Sequence, residues 1–245
     1  MLKVILVASG KGGTGKTSLT AGVGAALAQL GSKVLLIDGD CGLRNLDIVL
    51  GMSDRVVYSF ADVAGGAVPL ADAMACHPDM KTLYLLTAPV ALPALSERGM
   101  EQLAVQAEEA GFDYLLIDGP AGLPAELSFL AHIATQAIIV TSTDRVCVRG
   151  AERCARKLEE EYCIQRIRMV LNACARSSSA TANPATSTTR WTKRDFPCSV
   201  SCPRMWTHFV QQQRRSIHAV KHTGAARAFV NIARRLNGER IPLKL

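Results

Sequence analysis

A glycine- and lysine-rich stretch that follows a short apolar run constrains the fold of this chain most strongly. Residues 4–7 read Val-Ile-Leu-Val, and residues 9–18 read Ser-Gly-Lys-Gly-Gly-Thr-Gly-Lys-Thr-Ser. Gly10 and the Gly-Lys-Thr triplet at 15–17 satisfy the G-x-x-x-x-G-K-[ST] spacing. Glycines let successive backbone N–H groups turn inward around phosphate oxygens, and the N-terminal end of a following helix attracts the same anion. The pattern predicts a phosphate-binding loop between a buried strand and a helix.

Side chains within this loop suit the chemistry of a nucleotide phosphate. Lys16 is expected to neutralise the β- and γ-phosphates, and Thr17 to hold Mg²⁺ through its hydroxyl. An ordinary glycine-rich turn would not explain two lysines in the loop. The residues predicted to bind the nucleotide here are Gly10, Lys11, Gly12, Gly13, Thr14, Gly15, Lys16, Thr17 and Ser18.

Apolar runs alternate with helical patterns along most of the chain. Strands are predicted at 4–7, 34–37, 83–86, 114–117, 137–140 and 167–171, and helices at 17–30, 97–110, 147–161 and 224–237. Continuous apolar strands separated by helices are typical of a parallel sheet covered on both faces. We therefore predict a doubly wound α/β fold with a mostly parallel sheet, as one domain over residues 1–245, with ligands at the carboxyl ends of the strands.

Acidic residues follow two of the predicted strands. Asp38 and Asp40 come directly after the second strand, and Asp118 ends the fourth. Carboxylates gathered beside a phosphate loop repel each other unless Mg²⁺ or water lies between them, although a solvated acidic turn is the simpler alternative. An apolar strand that ends in Asp can deliver that carboxylate to the water shell of Mg²⁺, which is the role expected of Asp118.

Three stretches together resemble the MinD/ParA family of ATPases. They are Lys-Gly-Gly-Thr-Gly-Lys-Thr at 11–17, Gly-Leu-Arg-Asn-Leu-Asp at 42–47 and Leu-Leu-Ile-Asp-Gly-Pro-Ala-Gly at 115–122. The resemblance covers about residues 1–172 and, more weakly, 218–245. It implies a P-loop NTPase fold and hydrolysis of ATP with Mg²⁺.

The same resemblance assigns expected roles to individual residues. Lys11 would reach across a homodimer interface to the nucleotide of the partner, so that ATP favours the dimer. Asp40 would position or deprotonate the attacking water, which makes Lys11, Lys16 and Asp40 the expected catalytic residues. Asp38 would lie near the second shell of the metal, so the expected metal residues are Thr17, Asp38 and Asp118. Asn172, at the end of the sixth strand, would pair its amide with adenine.

The family's biological output is placement of the division septum, with a septum inhibitor or activator of the MinC/MinE kind as partner. Cys41-Gly42-Leu43 replaces the Pro-Gln-Gly that plasmid-partition members carry after the second Asp, which favours the division branch. A flagellar-number ATPase, a ParA-type DNA-partition ATPase and a non-hydrolysing nucleotide-dependent scaffold remain as alternatives. Arg44 could face a partner or could be a solvated surface residue.

Composition adds an expectation about location. No apolar run reaches the roughly 18 residues of a membrane span, and the chain opens on a strand rather than a signal peptide, so a cytoplasmic protein with reduced cysteines is expected. The family resemblance implies that peripheral contact with the inner face of the cell membrane would be made through an amphipathic C-terminal helix. Residues 239–245 do not supply a clear one, since Pro242 interrupts them.

One segment, 173–217, departs from the rest of the chain. It contains both tryptophans, Ser/Thr-rich tracts, and seven arginines and lysines against one aspartate, which accounts for most of the net charge of +7. DNA binding by the ATPase body is therefore not predicted. Since no strand or helix period is sustained there, we hypothesise a compensated frameshift, the alternatives being a divergent insertion or a disordered linker.

Overall fold

The computed structural model describes residues 1–41, 44–91, 93, 95–122, 124, 128–172, 198–202 and 224–242. Strands alternate with helices through the described residues, as the apolar runs predicted. None of the helices in these ranges is both long and apolar enough to cross a membrane.

A single twisted sheet forms the centre of the described structure. Its strands are β1 (Lys3–Ser9), β2 (Val34–Asp38), β3 (Ala75–Cys76), β4 (Leu83–Leu86), β5 (Tyr114–Ala121), β6 (Gln136–Thr141), β7 (Ile167–Asn172) and β8 (Cys198–Cys202). Their spatial order is β3-β4-β2-β5-β1-β6-β7-β8. All neighbours run parallel except β3, which pairs antiparallel with β4. The loop after β1 therefore lies near the middle of the carboxyl edge, between the ends of β5 and β6.

Helices cover both faces of this sheet. They are α1 (Lys16–Gln29), α2 (Leu46–Leu50), α3 (Phe60–Ala64), α4 (Leu70–Ala73), α5 (Glu97–Glu109), α6 (Ser128–His132), α7 (Arg145–Glu160) and α8 (Gly224–Leu236). Alternate residues of β1 point into two apolar clusters, one shared with α1, α2 and α8 and the other with α3–α7. The predicted doubly wound α/β fold with a mostly parallel sheet is confirmed.

Two short strands lie outside the predicted pattern. β3 has two residues, and β8 reads Cys-Ser-Val-Ser-Cys, so neither carries an apolar run that a sequence pattern could detect. β8 extends the sheet by pairing with β7, so a short strand lies within the segment in which the sequence sustains no strand or helix period. The rest of that segment lies outside the described residues, so the single domain over 1–245 stays a prediction.

Candidate nucleotide-binding site

The glycine-rich loop connects β1 to α1 at the centre of the carboxyl edge. Gly13 and Gly15 adopt φ values of 73° and 95°, a left-handed backbone that favours glycine, and α1 begins immediately afterwards at Lys16. The Lys16 side chain is buried at 7 % exposure, whereas Lys11 is exposed. The two lysines of the loop thus lie in different environments, one inside the site and one on the surface.

Contacts with neighbouring elements brace this loop. The Ser9 hydroxyl donates to the Lys11 carbonyl at 2.8 Å. The Asn172 side-chain amide donates to the Thr14 carbonyl at 2.8 Å, which links the end of β7 to the loop. The loop conformation is therefore held by a contact within the loop and by a contact from the end of β7.

Gly150 of α7 provides a third brace that the sequence analysis missed. A Cβ added to Gly10 would overlap the backbone of Gly150, and a Cβ added to Gly150 would lie 3.1 Å from the Gly10 backbone. The two backbones can approach this closely only because both residues lack a side chain. The sequence signal that could have indicated this contact is a glycine inside a helical pattern, because such a glycine usually has a packing reason.

Asp144 caps the N-terminus of α7. Its side chain accepts hydrogen bonds from the N–H groups of Val146 and Cys147 at 2.8 and 3.2 Å.

Asp118 lies inside β5, which continues to Ala121 instead of ending at this residue as predicted, and its carboxyl is close to the start of α1. The Thr20 hydroxyl donates to its Oδ1 at 3.3 Å, and the Thr17 hydroxyl also hydrogen-bonds the carboxyl. Its Oδ2 is buried and has no hydrogen-bond partner among the described residues. Burial raises the pKa of the Asp118 carboxyl to about 7; the nearby Asp38 charge also raises it, while Thr17, Lys16 and Thr20 lower it.

These groups fit a magnesium-bound nucleotide. A buried carboxylate oxygen without a partner costs free energy unless a cation or an ordered water satisfies it. Hydroxyl and carboxylate oxygens, here from Thr17 and Asp118, are the donors that Mg²⁺ prefers, and Lys16 adds the positive charge that a phosphate requires. Side chains predicted from two separate motifs, the phosphate loop and the apolar strand that contains Asp118, are therefore brought together.

The Asp38 carboxyl organises the turn after β2. Its Oδ1 accepts from the Asp40 N–H at 3.1 Å and its Oδ2 from the Leu46 N–H at 3.0 Å. Burial raises the pKa of Asp38, and the two backbone donors oppose that rise. Both carboxyl oxygens thus accept from backbone N–H groups, one just after β2 and one at the start of α2. The predicted place of Asp38 near the second shell of a metal stays a prediction.

Residues around Asp40 lie at the edge of the site. The Asp40 side chain is half-buried, next to Cys41, whose thiol pKa rises to about 11 because of burial and the charges of Asp38 and Asp40. Arg44 adopts a positive φ of 41°, and its Nε donates to the Thr87 hydroxyl at 3.2 Å. Arg44 therefore contacts the end of β4 in its own chain, an arrangement that neither sequence interpretation had included.

Comparison with known proteins agrees with this geometry. The family model ParA, described as an NUBPL iron-transfer P-loop NTPase, matches residues 1–186. A septum site-determining protein MinD from Thermotoga maritima is 40 % identical over 174 residues, which is 70 % of this chain and 64 % of that protein. The MinD of a Synechocystis species is 42 % identical over 174 residues, with 70 % and 65 % covered. The matched part of the chain thus spans less than two thirds of these relatives.

Solved structures extend the likeness over nearly the whole chain. The MinD cell division protein of Aquifex aeolicus superposes with a TM-score of 0.82 at 32 % identity, over 99 % of this chain and 100 % of that one. A MinC:MinD complex from the same organism gives 0.83 at 32 % identity, with 99 % and 98 % covered. The Pyrococcus horikoshii MinD, complexed with Mg-ADP, gives 0.77 at 27 % identity, with 97 % and 96 % covered. The resemblance seen in the sequence motifs is confirmed, and the chain belongs to the ParA/MinD family of P-loop NTPases.

Proposed function

We propose that this chain hydrolyses ATP to ADP and phosphate, forms a homodimer when ATP is bound, and serves as a switch in placement of the division septum. The observation that carries the proposal is the buried Asp118 carboxyl, whose Oδ2 has no hydrogen-bond partner in the part of the chain that the structure describes and which lies in a site with Thr17 and Lys16. The identity to curated MinD proteins supports the assignment to septum placement.

The residues of the chain have complementary tasks in this reaction. Lys16 and the loop amides offset the phosphate charge, and Thr17 and Asp118 are the residues that would hold Mg²⁺. Mg²⁺, when bound, would supply charge neutralisation at the phosphate oxygens. Asp40 orients the attacking water from the turn that Asp38 shapes. A preorganised site of this kind lowers the barrier because its dipoles and charges need little rearrangement.

Partner binding is part of the same proposal. Lys11 is exposed at the loop, where it is available to a second copy of the chain. A related MinD from Aquifex aeolicus forms a complex with MinC, and we propose a septum inhibitor or activator of the MinC/MinE kind as the partner here. The related MinD with Mg-ADP supports ATP and Mg²⁺ as ligands.

The test compares nucleotide binding with phosphate release in three variants. Lys16→Ala is expected to abolish ATP binding, because it removes the buried positive charge of the site. Asp40→Ala is expected to keep ATP binding and lose at least 90 % of phosphate release, a loss on the scale of positioned groups in catalysis. Lys33→Ala, at the opposite edge of the sheet, is the matched control and should behave as wild type.

Three outcomes would contradict parts of the proposal. ATP binding without phosphate release in the wild-type protein would indicate a nucleotide-dependent scaffold instead of an enzyme. Equal phosphate release by the wild type and Asp40→Ala would remove Asp40 from its role. ATP-dependent DNA binding that weakens steeply with salt would favour a DNA-partition function over septum placement.

A further inference from the structure

The side chain of Asn172 fills a space between β7 and the phosphate loop. Its Nδ2 donates to the Thr14 carbonyl at 2.8 Å, a hydrogen bond between residues 158 positions apart in the sequence. A Cβ added to Gly15 would overlap the same Nδ2. The amide of Asn172 therefore lies directly against the Thr14–Gly15 peptide, in the place that a larger residue at position 15 would occupy.

This hydrogen bond determines the direction of a loop amide. A peptide unit is planar and trans, so its C=O and N–H point in opposite directions. The carbonyl of Thr14 and the N–H of Gly15 belong to one peptide unit. With the carbonyl held toward Asn172, the Gly15 N–H is held away from β7. Thr14 is buried at 7 % exposure and Gly15 has a φ of 95°, so the bonded peptide lies in a backbone turn that is closely packed.

We propose that Asn172 is a positioning residue for the phosphate loop, so that the affinity of the site for phosphate groups themselves depends on this side chain. A role limited to the base would make Asn172 matter only for ligands that carry one. A side-chain amide has two N–H donors and an acceptor oxygen, so a loop contact and a base contact are chemically compatible. The inference rests on the proposed nucleotide binding and deepens it, by linking the base end of the site to its phosphate end.

The test uses a ligand without a base. Binding of magnesium tripolyphosphate and of magnesium ATP is measured by calorimetry on the full chain, for wild type and Asn172→Ala. Loss of one hydrogen bond that orders the loop is expected to weaken tripolyphosphate binding about fivefold to tenfold. ATP binding should weaken by at least the same factor. Asn172→Ser retains a polar group that is too short to reach Thr14, so it should give the same result. It replaces Asn172→Ala in the test if the alanine variant does not fold.

A matched control separates this role from general stability. The Asn237 Oδ1 accepts from the Tyr114 hydroxyl at 2.6 Å, at the edge of the sheet opposite the loop. Asn237→Ala therefore also removes a side-chain hydrogen bond, and it should leave tripolyphosphate affinity unchanged. Weaker ATP binding with unchanged tripolyphosphate binding in Asn172→Ala would overturn the inference. So would equal losses in the two alanine variants.

Hydrogen exchange in the ligand-free protein distinguishes failure of this inference from failure of the proposed function. Peptides covering residues 10–17 should exchange at least threefold faster in Asn172→Ala than in wild type, and at the wild-type rate in Asn237→Ala. Unchanged exchange in Asn172→Ala would contradict the positioning role. If the wild type binds neither ligand, nucleotide binding itself is wrong and the dependence of phosphate affinity on Asn172 falls with it, whatever the exchange shows.

Discussion

Asp38, the last residue of β2, and Asp118, inside β5, are register partners on these neighbouring parallel strands. Their side chains are 0 % and 1 % exposed, and each carboxyl has a pKa above its ordinary value, chiefly because of burial. Two buried carboxyl groups side by side are unfavourable in the ionised state. The ligand-free site therefore carries an electrostatic cost that a bound cation would relieve.

Replacing Asp118 by Asn should stabilise the ligand-free protein. The folded pKa of about 7 exceeds the ordinary value of 3.8, so the folded state binds more protons than the unfolded state between these pH values. The contribution of the protonated carboxyl to stability is complete below pH 4 and is lost as the pH rises through 7. Asp118→Asn should therefore be more stable than wild type by about 2–4 kcal/mol above pH 7, and by little near pH 4.

Urea unfolding in chelator at several pH values measures this difference. Asp54→Asn, which replaces an exposed aspartate, is the matched control for the loss of one carboxyl group. A stability gain for Asp118→Asn that is the same at pH 4 and pH 8 would contradict the electrostatic explanation. The same variant should lose phosphate release, since it removes the negative charge beside Thr17.

The contact between Gly10 and Gly150 should make both positions sensitive to a methyl group. Gly150→Ala brings a Cβ to 3.1 Å from the Gly10 backbone, which should destabilise the fold by about 1–3 kcal/mol and displace the loop. Nucleotide affinity should fall about tenfold, and Gly10→Ala, with a direct overlap, should be more severe. Gly31→Ala is the control for general strain, because it has a φ of 93° and an open environment. Equal nucleotide affinity in Gly150→Ala and Gly31→Ala would show that the glycine contact does not position the loop.

His77 should make stability sensitive to mild acid. Its Nδ1 accepts from the Asp79 N–H at 3.1 Å, and its ring also hydrogen-bonds the backbone of Leu50 at the end of α2. Burial lowers the pKa of His77, and the charges of Arg55 and Lys81 add to this effect while Asp79 opposes it. The contribution of neutral His77 to stability is complete above its ordinary pKa of about 6.5. It is lost as the pH falls through the lowered pKa of the folded state.

The measurement compares the pH dependence of unfolding in wild type and His77→Gln. Glutamine keeps a donor and an acceptor but does not titrate. Between pH 7 and pH 5 the wild type should lose more stability than the variant. Parallel curves over this range would exclude His77 as the titrating group. Other titrating residues affect both proteins equally, so they do not contribute to the difference.

Lys11 should be required for dimer formation rather than for folding. With ATP and Mg²⁺, Asp40→Ala is expected to sediment as a dimer because hydrolysis is blocked. Adding Lys11→Ala should weaken dimerisation at least tenfold, or about 1.4 kcal/mol, since the exposed ammonium would no longer meet the nucleotide of the partner. Lys81→Ala, an exposed lysine at the opposite edge of the sheet, is the control in the same background. Dimers of unchanged affinity in the Lys11 variant would contradict the role.

Resequencing of the coding DNA for residues 165–225 tests the frameshift hypothesis. The match to the family model ends at residue 186, inside the basic segment, whereas α8 has an apolar face that packs against α1. We expect a paired insertion and deletion whose correction restores an alternating strand and helix pattern. If another frame shows no such pattern, the segment is a genuine insertion and the next step is to delete it.

Much of the sheet follows from local pattern. The predicted strands at 34–37 and 83–86 fall within β2 (Val34–Asp38) and β4 (Leu83–Leu86), and the other four predicted strands differ by a few residues at their ends. A buried parallel strand needs a continuous apolar run, and such a run is visible without knowledge of its neighbours. The phosphate loop is equally local, because its glycine spacing and the following helix lie within a few consecutive residues.

By itself, then, the sequence determined the α/β class, the position of the phosphate loop and the association of Asp38 and Asp118 with apolar strands. Only the tertiary structure decided which residues meet at the loop. Gly150 packs against the backbone of Gly10, and Asn172 donates a hydrogen bond to the Thr14 carbonyl. Asp38 accepts a hydrogen bond from the backbone of the turn that follows it. The short edge strands β3 and β8 were likewise visible only in the tertiary structure. Sequence periodicity indicates which side chains of each segment face the core and which face solvent. Close contacts between distant residues depend on strand order and register, which emerge only when the segments pack into one sheet.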